Sequence, residues 1–136
     1  MKILGVDYGR AKIGLAIADG PLAEPHSVLK VNSFEDALKK VEQVVQAMKV
    51  EKVIVGVSEG EMGKEQEKFA SLLGKRLNME VVTWDEALST FDAQQISREA
   101  GLGPKKRREM EDAFAAAIMV QSYLDHGTTT EGSSSI

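Results

Sequence analysis

Four acidic residues, at three places in the chain, are of a type and in a local setting that could support catalysis. Asp7 ends an apolar N-terminal segment, Asp85 and Glu86 end another, and Asp112 lies in an alanine-rich segment. Carboxylates grouped without a matching buried base repel one another, so such a group makes sense mainly around cations. Hard oxygen ligands suit Mg²⁺ or Mn²⁺. We therefore expect Asp7, Asp85 and Asp112 to be metal ligands, with Glu86 as a further catalytic residue.

Such a site predicts phosphodiester hydrolysis. Two divalent ions about 3.5–4 Å apart can activate a water molecule and stabilise the leaving oxygen. The chain contains no cysteine, which excludes a thiol nucleophile, a disulfide framework and a cysteine-ligated zinc site. No Ser/His pair stands in a recognisable catalytic motif. The residue types thus favour a hydrolase in which metal-activated water is the nucleophile.

The sequence alone does not determine which residue completes the metal site with Asp7 and Asp112. Strand side chains alternate, so only one of Asp85 and Glu86 can point where Asp7 points. Glu59, at the end of another apolar segment, could be an additional ligand. For Asp112 the alternative is a solvated helix face, but the neighbouring alanines would let that helix lie close to a sheet.

A local excess of basic residues indicates phosphate contact. The net charge is −4, which argues mildly against general coating of nucleic acid. From Arg98 to Arg108, however, the sequence contains five basic residues and only one acidic residue. Cations at a helix N-terminus oppose its dipole, which favours a functional reason for them. We expect phosphates to be held by Arg10, Lys12, Lys105, Lys106, Arg107 and Arg108.

The elements that would position these residues follow the order β-β-β-α-β-α-β-α-α. Apolar patterns predict strands over 2–7, 12–18, 52–57 and 81–84, and a weaker one over 27–31. Helices are predicted over 34–48, through Phe69 to a stop near Asn78, from Ser89 to Gly101, and from about Glu109 to Leu124. The segment 101–108 is predicted to be a mobile basic loop.

This order predicts an α/β protein with a mixed five-stranded sheet and helices on both faces. Binding sites in such sheets form at the carboxyl ends of parallel strands, where Asp7 and Asp85–Glu86 would lie. The 136 residues suffice for one domain, expected over 1–126, with a disordered Gly/Ser/Thr-rich tail over 127–136. No segment is long and apolar enough for a membrane span, so we expect no membrane partner and a cytoplasmic location.

Taken together, the motifs resemble those of the YqgF (RuvX-like) family, a bacterial branch of the ribonuclease H-like superfamily. The resemblance covers about residues 2–125. It rests on Gly5-Val-Asp7-Tyr-Gly9 with Gly14-Leu-Ala16, Val55-Gly56, Asp85-Glu86 with Ser89-Thr90, and Asp112 followed by Ala115-Ala116 and Gln121-x-Tyr123-Leu124. It implies a ribonuclease H-like fold and a nuclease linked to the 5′ end of pre-16S ribosomal RNA, with the pre-ribosomal particle as a partner. The family has also been described as a Holliday junction resolvase.

Two departures keep other functions open. The family usually has Arg after Asp-Glu, where this chain has Ala87, and Pro-Leu after Val-Gly, where it has Val57-Ser58. The missing Arg supports a non-catalytic nucleic-acid-binding or ribosome-binding module. An ATP-binding domain of the sugar-kinase and actin class shares the Asp-x-Gly hairpin, but that class needs two such domains.

The substrate and the assembly also stay open. Phosphate contacts carry no information on the sugar, so structured RNA and branched DNA are both candidate partners. The chain could be a monomer or a homodimer. A resolvase would be expected to act as a symmetric dimer on a two-fold junction.

Overall fold

The computed structural model describes residues 1–86, 101 and 103–127. Within them the strands are β1 (Lys2–Tyr8), β2 (Lys12–Asp19), β3 (Ala23–Lys30), β4 (Lys52–Val57) and β5 (Val81–Asp85). The helices are α1 (Phe34–Met48), α2 (Gly60–Leu77) and α3 (Pro104–Ser122), and a single π-helical turn, Tyr123–Gly127, follows α3. The helix predicted between Ser89 and Gly101 and the tail predicted at the C-terminus lie outside the described residues, apart from Gly101 and Gly127.

The five strands form one mixed sheet in the order β3-β2-β1-β4-β5, which confirms the predicted architecture. β1, β2 and β3 form an antiparallel meander, whereas β4 runs parallel to β1, and β5 runs parallel to β4. The helix α2 connects β4 to β5 as a crossover. The carboxyl ends of β1, β4 and β5 therefore meet at one edge of the sheet, which is the predicted location of the site.

The third strand is longer than the sequence predicted, beginning at Ala23 instead of Ser27. The added residues include Pro25, and proline cannot donate a backbone hydrogen bond to a ladder. β3 is, however, an edge strand, and its pairing with β2 shifts register between Leu15, opposite Ser27, and Ala16, opposite Pro25. An edge position beside a bulge is where a sheet tolerates proline.

The first helix begins, and the second ends, where the sequence indicates. Ser33 caps α1, its Oγ accepting a hydrogen bond from the Asp36 backbone N–H at 3.0 Å, which is the N-cap contact of a capping box. α2 ends at Asn78, which adopts the left-handed conformation with φ of 51°. No helix in the described part of the chain has the length and apolar character needed to cross a membrane.

The last helix starts earlier than predicted, and the predicted basic loop is wrong over its second half. α3 begins at Pro104 rather than near Glu109, so Lys105 to Arg108 lie in its first turns. Pro104 occupies the start of the helix, where its missing N–H costs nothing and its fixed φ suits the helical backbone. Composition alone suggested a loop because four consecutive basic residues do not form an amphipathic pattern.

Two hydrophobic cores lie on opposite faces of the sheet, and β1 alternates between them. Leu4, Val6 and Tyr8 face α1 and α2, whereas Ile3 belongs to the core beneath α3. Gly5 also faces α3, because a Cβ placed on it would overlap Val120. Continuing this alternation, Asp7 points to the α3 side, at the end of the strand and beyond the packed core.

Candidate active site

Asp112 reaches the end of β1 because a glycine in the next strand leaves room for its helix. Gly14 is the antiparallel register partner of Asp7. A Cβ on Gly14 would overlap the backbone carbonyl of Asp112 and lie 2.8 Å from the backbone nitrogen of Ala113. α3 therefore rests directly on β2 at this point, which confirms the close approach expected from its small residues. This contact places the Asp112 carboxylate near Asp7.

Glu86 reaches Asp7 from two strands away across a second glycine. A Cβ on Gly56, in β4 between β1 and β5, would lie 2.8 Å from the Glu86 Oε1 atom. The Glu86 side chain thus lies over Gly56 on the α3 side of the sheet, where it forms a hydrogen bond with the Asp7 carboxyl group. Gly14 and Gly56 together open both flanks of Asp7 to other carboxylates.

The structure distinguishes the two neighbouring acids that the sequence left open. Trp84 faces α3, where its Nε1 donates a hydrogen bond of 3.2 Å to the Ser122 Oγ atom. Strand alternation then directs Asp85 to the opposite face, and its side chain is exposed. Glu86, rather than Asp85, is therefore the acidic residue of this pair that accompanies Asp7. Glu59 is exposed at the residue before α2.

The proximity of three acids changes the protonation of Asp7. Burial, the charge and hydrogen bond of Glu86, and the charge of Asp112 raise the pKa of Asp7 from 3.8 to about 8. Burial is the largest cause, since it penalises the charged form, and the neighbouring negative charges add to it. At neutral pH and without a cation, a pKa of about 8 keeps Asp7 mostly protonated.

The oxygen atoms of these carboxyl groups are suitable ligands for a divalent cation. In this structure, however, the three side chains do not form a closed ligand shell. Among residues 1–86 and 103–127, no three acidic or histidine side chains stand close enough to enclose a metal ion. Glu86 lies beside Asp7, and the Asp112 Oδ2 atom lies 3.8 Å from the Lys12 Nζ atom. A divalent cation would supply positive charge between these acids, as Lys12 now does beside Asp112.

The predicted phosphate-binding residues form two groups along the chain, and in the first group only Lys12 lies beside one of these acids. Lys12 lies beside Asp112, whereas the Arg10 Nε atom donates to the Glu65 Oε1 atom at 3.0 Å. The second group, in the first turns of α3, is within about one or two helical turns of Asp112 on the same helix. It comprises Lys105, Lys106, Arg107 and Arg108, of which all but the half-buried Arg107 are exposed.

A hydrogen-bonded network behind β1 was missed by the sequence analysis. The Tyr8 hydroxyl donates to the Glu65 Oε2 atom at 2.6 Å. Burial, followed by this contact with Glu65, raises the pKa of Tyr8, while the hydrogen bond lowers the pKa of Glu65. Next to Glu65, the buried Gln66 binds both Tyr8 and Ser58. A lone glutamine within an apolar helical stripe was the only signal in the sequence.

Lys30 is a second residue that the sequence analysis did not single out. It is the direct cross-strand partner of Lys12 in the β2–β3 ladder. Like charges placed opposite each other in an antiparallel pair destabilise the sheet. Only the strand register reveals this pair, because 18 positions separate the two lysines in the chain.

The chain is similar to known proteins in both sequence and structure. A sequence model of the family described as "RuvX: Holliday junction resolvase" matches residues 1–126. A protein of Syntrophomonas wolfei, named "Putative pre-16S rRNA nuclease", is 36% identical, and the match covers 94% of this chain and 96% of the relative. Proteins with the same name from Halothermothrix orenii and Caldanaerobacter subterraneus are 36% and 37% identical, over 97% and 92% of this chain and 100% and 96% of theirs.

Solved structures share the fold at low sequence identity. Thermus thermophilus RuvC in complex with a Holliday junction substrate superimposes with a TM-score of 0.65 at 17% identity, over 94% of this chain and 97% of that chain. Fowlpox virus resolvase in complex with Holliday junction DNA gives a TM-score of 0.61 at 15% identity, over 92% and 97%. These similarities confirm the ribonuclease H-like architecture.

Proposed function

The chain belongs to the RuvX family, and on that premise we propose that it is a divalent-metal-dependent endonuclease acting on the 5′ end of pre-16S ribosomal RNA. The relatives that carry this substrate in their names match nearly the whole chain. The observation that supports the chemistry is that Glu86 and Asp112 lie near Asp7 at the carboxyl end of β1, where their charges raise its pKa. The substrate assignment rests on the relatives alone.

Asp7, Glu86 and Asp112 are the proposed ligands of Mg²⁺ or Mn²⁺. When bound, such ions activate water and neutralise the charge that develops on the leaving oxygen. Asp7 is the central ligand, because it lies between the other two and must lose its proton before it can bind a cation. Asp85, which the sequence analysis placed among the metal ligands, is not in the proposed set because it faces the other side of the sheet.

The basic residues would place the phosphodiester backbone over these acids. Lys12 is 3.8 Å from Asp112, so it would turn to a substrate phosphate once a cation binds the carboxylate. The first turn of α3 contains no acidic residue, although the helix dipole favours negative charge there. A phosphate at that end would relieve the repulsion between the dipole and Lys105, Lys106 and Arg107.

A cleavage assay with matched acid variants tests this proposal. The substrate is a precursor RNA that carries the 5′ extension of 16S ribosomal RNA, incubated without metal, with Mg²⁺ and with Mn²⁺. We expect metal-dependent cleavage that falls at least about 100-fold in Asp7→Asn, since even outer-shell groups cost 10–100-fold. Asp19→Asn, at the exposed end of β2, is the control and should cleave normally. Equal cleavage by Asp7→Asn would overturn the assignment.

A Holliday junction resolvase is the second candidate, because the family description and the fold neighbours bound to four-way DNA point to it. A four-way DNA junction in the same assay distinguishes the two substrates. Resolution would be expected with symmetric cuts and a dimeric mass in solution. Salt-dependent binding of either substrate without cleavage in any metal would instead favour the non-catalytic module.

A further inference from the structure

Gln66 of α2 is a buried amide that ties together the ends of two strands. Its side chain is 2% exposed. The Oε1 atom accepts hydrogen bonds from the Ser58 backbone nitrogen at 2.7 Å and from the Ser58 Oγ atom at 3.1 Å. The Nε2 atom donates to the Tyr8 backbone oxygen at 3.2 Å. One side chain thus links the residue after β4 to the last residue of β1.

These are the two strand ends on which the candidate site stands. Tyr8 directly follows Asp7, and Ser58 comes two residues after Gly56, over which Glu86 lies. In the described structure, the parallel ladder between β1 and β4 runs from Ile3 only as far as Val6, opposite Val55. Beyond that pair, Gln66 provides the link between the two strand ends.

The backbone around Gln66 leaves little freedom for this link to shift. One turn earlier on α2, a Cβ on Gly63 would overlap the Ser58 carbonyl oxygen, so the helix lies directly on the end of β4. Glu65, the residue before Gln66, accepts a hydrogen bond from the Tyr8 hydroxyl. α2 is therefore anchored to β1 and β4 at the same level as the acids on the other face of the sheet.

An apolar side chain at this position would leave the Ser58 backbone N–H and the Tyr8 backbone oxygen without the partners that Gln66 provides. The next buried positions of the same helix are Phe69, Ala70 and Leu73, and burying an amide is unfavourable unless all of its hydrogen bonds are made. Gln66 makes its hydrogen bonds at the one place where the β1 and β4 ends need a fixed separation.

We propose that Gln66 is a positioning residue that sets the distance between Asp7 and Glu86 by holding the ends of β1 and β4. This inference rests on the proposed metal-dependent function. Gln66 lies on the α1–α2 side of the sheet and does not contact the substrate or the cation. It would act on the geometry of the carboxylates through the two backbones.

The test is Mn²⁺ binding by calorimetry at pH 8, with cleavage measured in parallel. Gln66→Met keeps the length and burial of the side chain and removes its hydrogen bonds. We expect Mn²⁺ affinity to fall 10–100-fold, as for other groups that orient metal ligands. Leu73→Ala, a core substitution farther along α2, is the control. It should lower the melting temperature while leaving Mn²⁺ affinity unchanged.

A second variant keeps the test decisive if Gln66→Met folds poorly. Gln66→Glu preserves the acceptor for Ser58, but an ionised carboxylate cannot donate to the Tyr8 oxygen. Simple charge attraction predicts tighter Mn²⁺ binding by this variant, whereas positioning predicts weaker binding. Wild-type affinity or tighter binding in a folded Gln66 variant would overturn the inference and leave the proposed function intact. Absence of Asp7-dependent Mn²⁺ binding in the wild-type protein would overturn both.

Discussion

The backbone of Asp112 lies directly against Gly14, with no space between them for a β-carbon. Because Gly14 is also the register partner of Asp7, the same glycine that admits the helix determines which strand residue the helix faces. The position of Asp112 is thus encoded in a strand that contributes no acid to the site.

Replacing Gly14 with alanine should displace α3 and separate Asp112 from Asp7. Overpacking of this kind costs about 1–3 kcal/mol of stability, and we expect cleavage to fall by more than the lost stability explains. Gly74→Ala is the control, since a Cβ there would have contacts no closer than 3.5 Å and alanine favours helices. Chemical denaturation and the cleavage assay measure the two effects. An active, destabilised Gly14→Ala protein would contradict the geometric role of this glycine.

The sequence was sufficient for the architecture because each element carries a local signal. The apolar β-branched run of β4 and the capping box at Ser33 reflect interactions within a few residues. The predicted start of α3 is wrong because its first turns carry only a weak local signal. Its first turns have no apolar stripe, and the signal that mattered was the single Pro104.

The site was only partly predictable, because its geometry depends on contacts between distant elements. Asp7 and Asp112 could be chosen from local patterns, but the choice between Asp85 and Glu86 required the face on which β5 packs. Gln66 makes its contacts 8 and 58 positions away in the chain. Its role could not be read from the residues beside it.

The stability of the metal-free protein should depend on pH through Asp7. Because its pKa is about 8 when folded and near 3.8 when unfolded, the folded state binds a proton that the unfolded state has released. Stability therefore falls as pH rises from about 4 to about 8, by at most about 1.4 kcal/mol per pH unit from this group. Urea denaturation of wild type and Asp7→Asn across this range should show that the free energy of unfolding of the variant rises relative to that of wild type as pH increases.

A group with the opposite shift provides the control for that series. Hydrogen bonds from the Asn32 backbone and Lys40 lower the pKa of Asp36. Asp36→Asn should therefore lose stability relative to wild type near neutral pH, and the difference should shrink as pH falls through the lowered pKa of Asp36. A parallel response of the two variants would contradict the assignment of the pH dependence to Asp7.

Cation binding should release protons below about pH 8. Asp7 must ionise to bind Mn²⁺, so the apparent affinity should increase up to tenfold per pH unit towards the pKa of Asp7 and then level off. Calorimetry at pH 6.5 in two buffers of different ionisation enthalpy would count the protons, with about one expected per site. Binding that releases no proton would show that Asp7 is not a ligand.

Lys30 should contribute to nucleic-acid binding without affecting the cation. Its position opposite Lys12 places two like charges side by side, an arrangement that a phosphate would stabilise. Lys30→Ala should weaken substrate binding and reduce the slope of log Kd against log salt by about 1, while Mn²⁺ affinity stays unchanged. Lys39→Ala, on the exposed side of α1, is the control and should leave both unchanged. If Lys30→Ala binds substrate with an unaltered salt dependence, the phosphate path does not pass over the β2–β3 ladder.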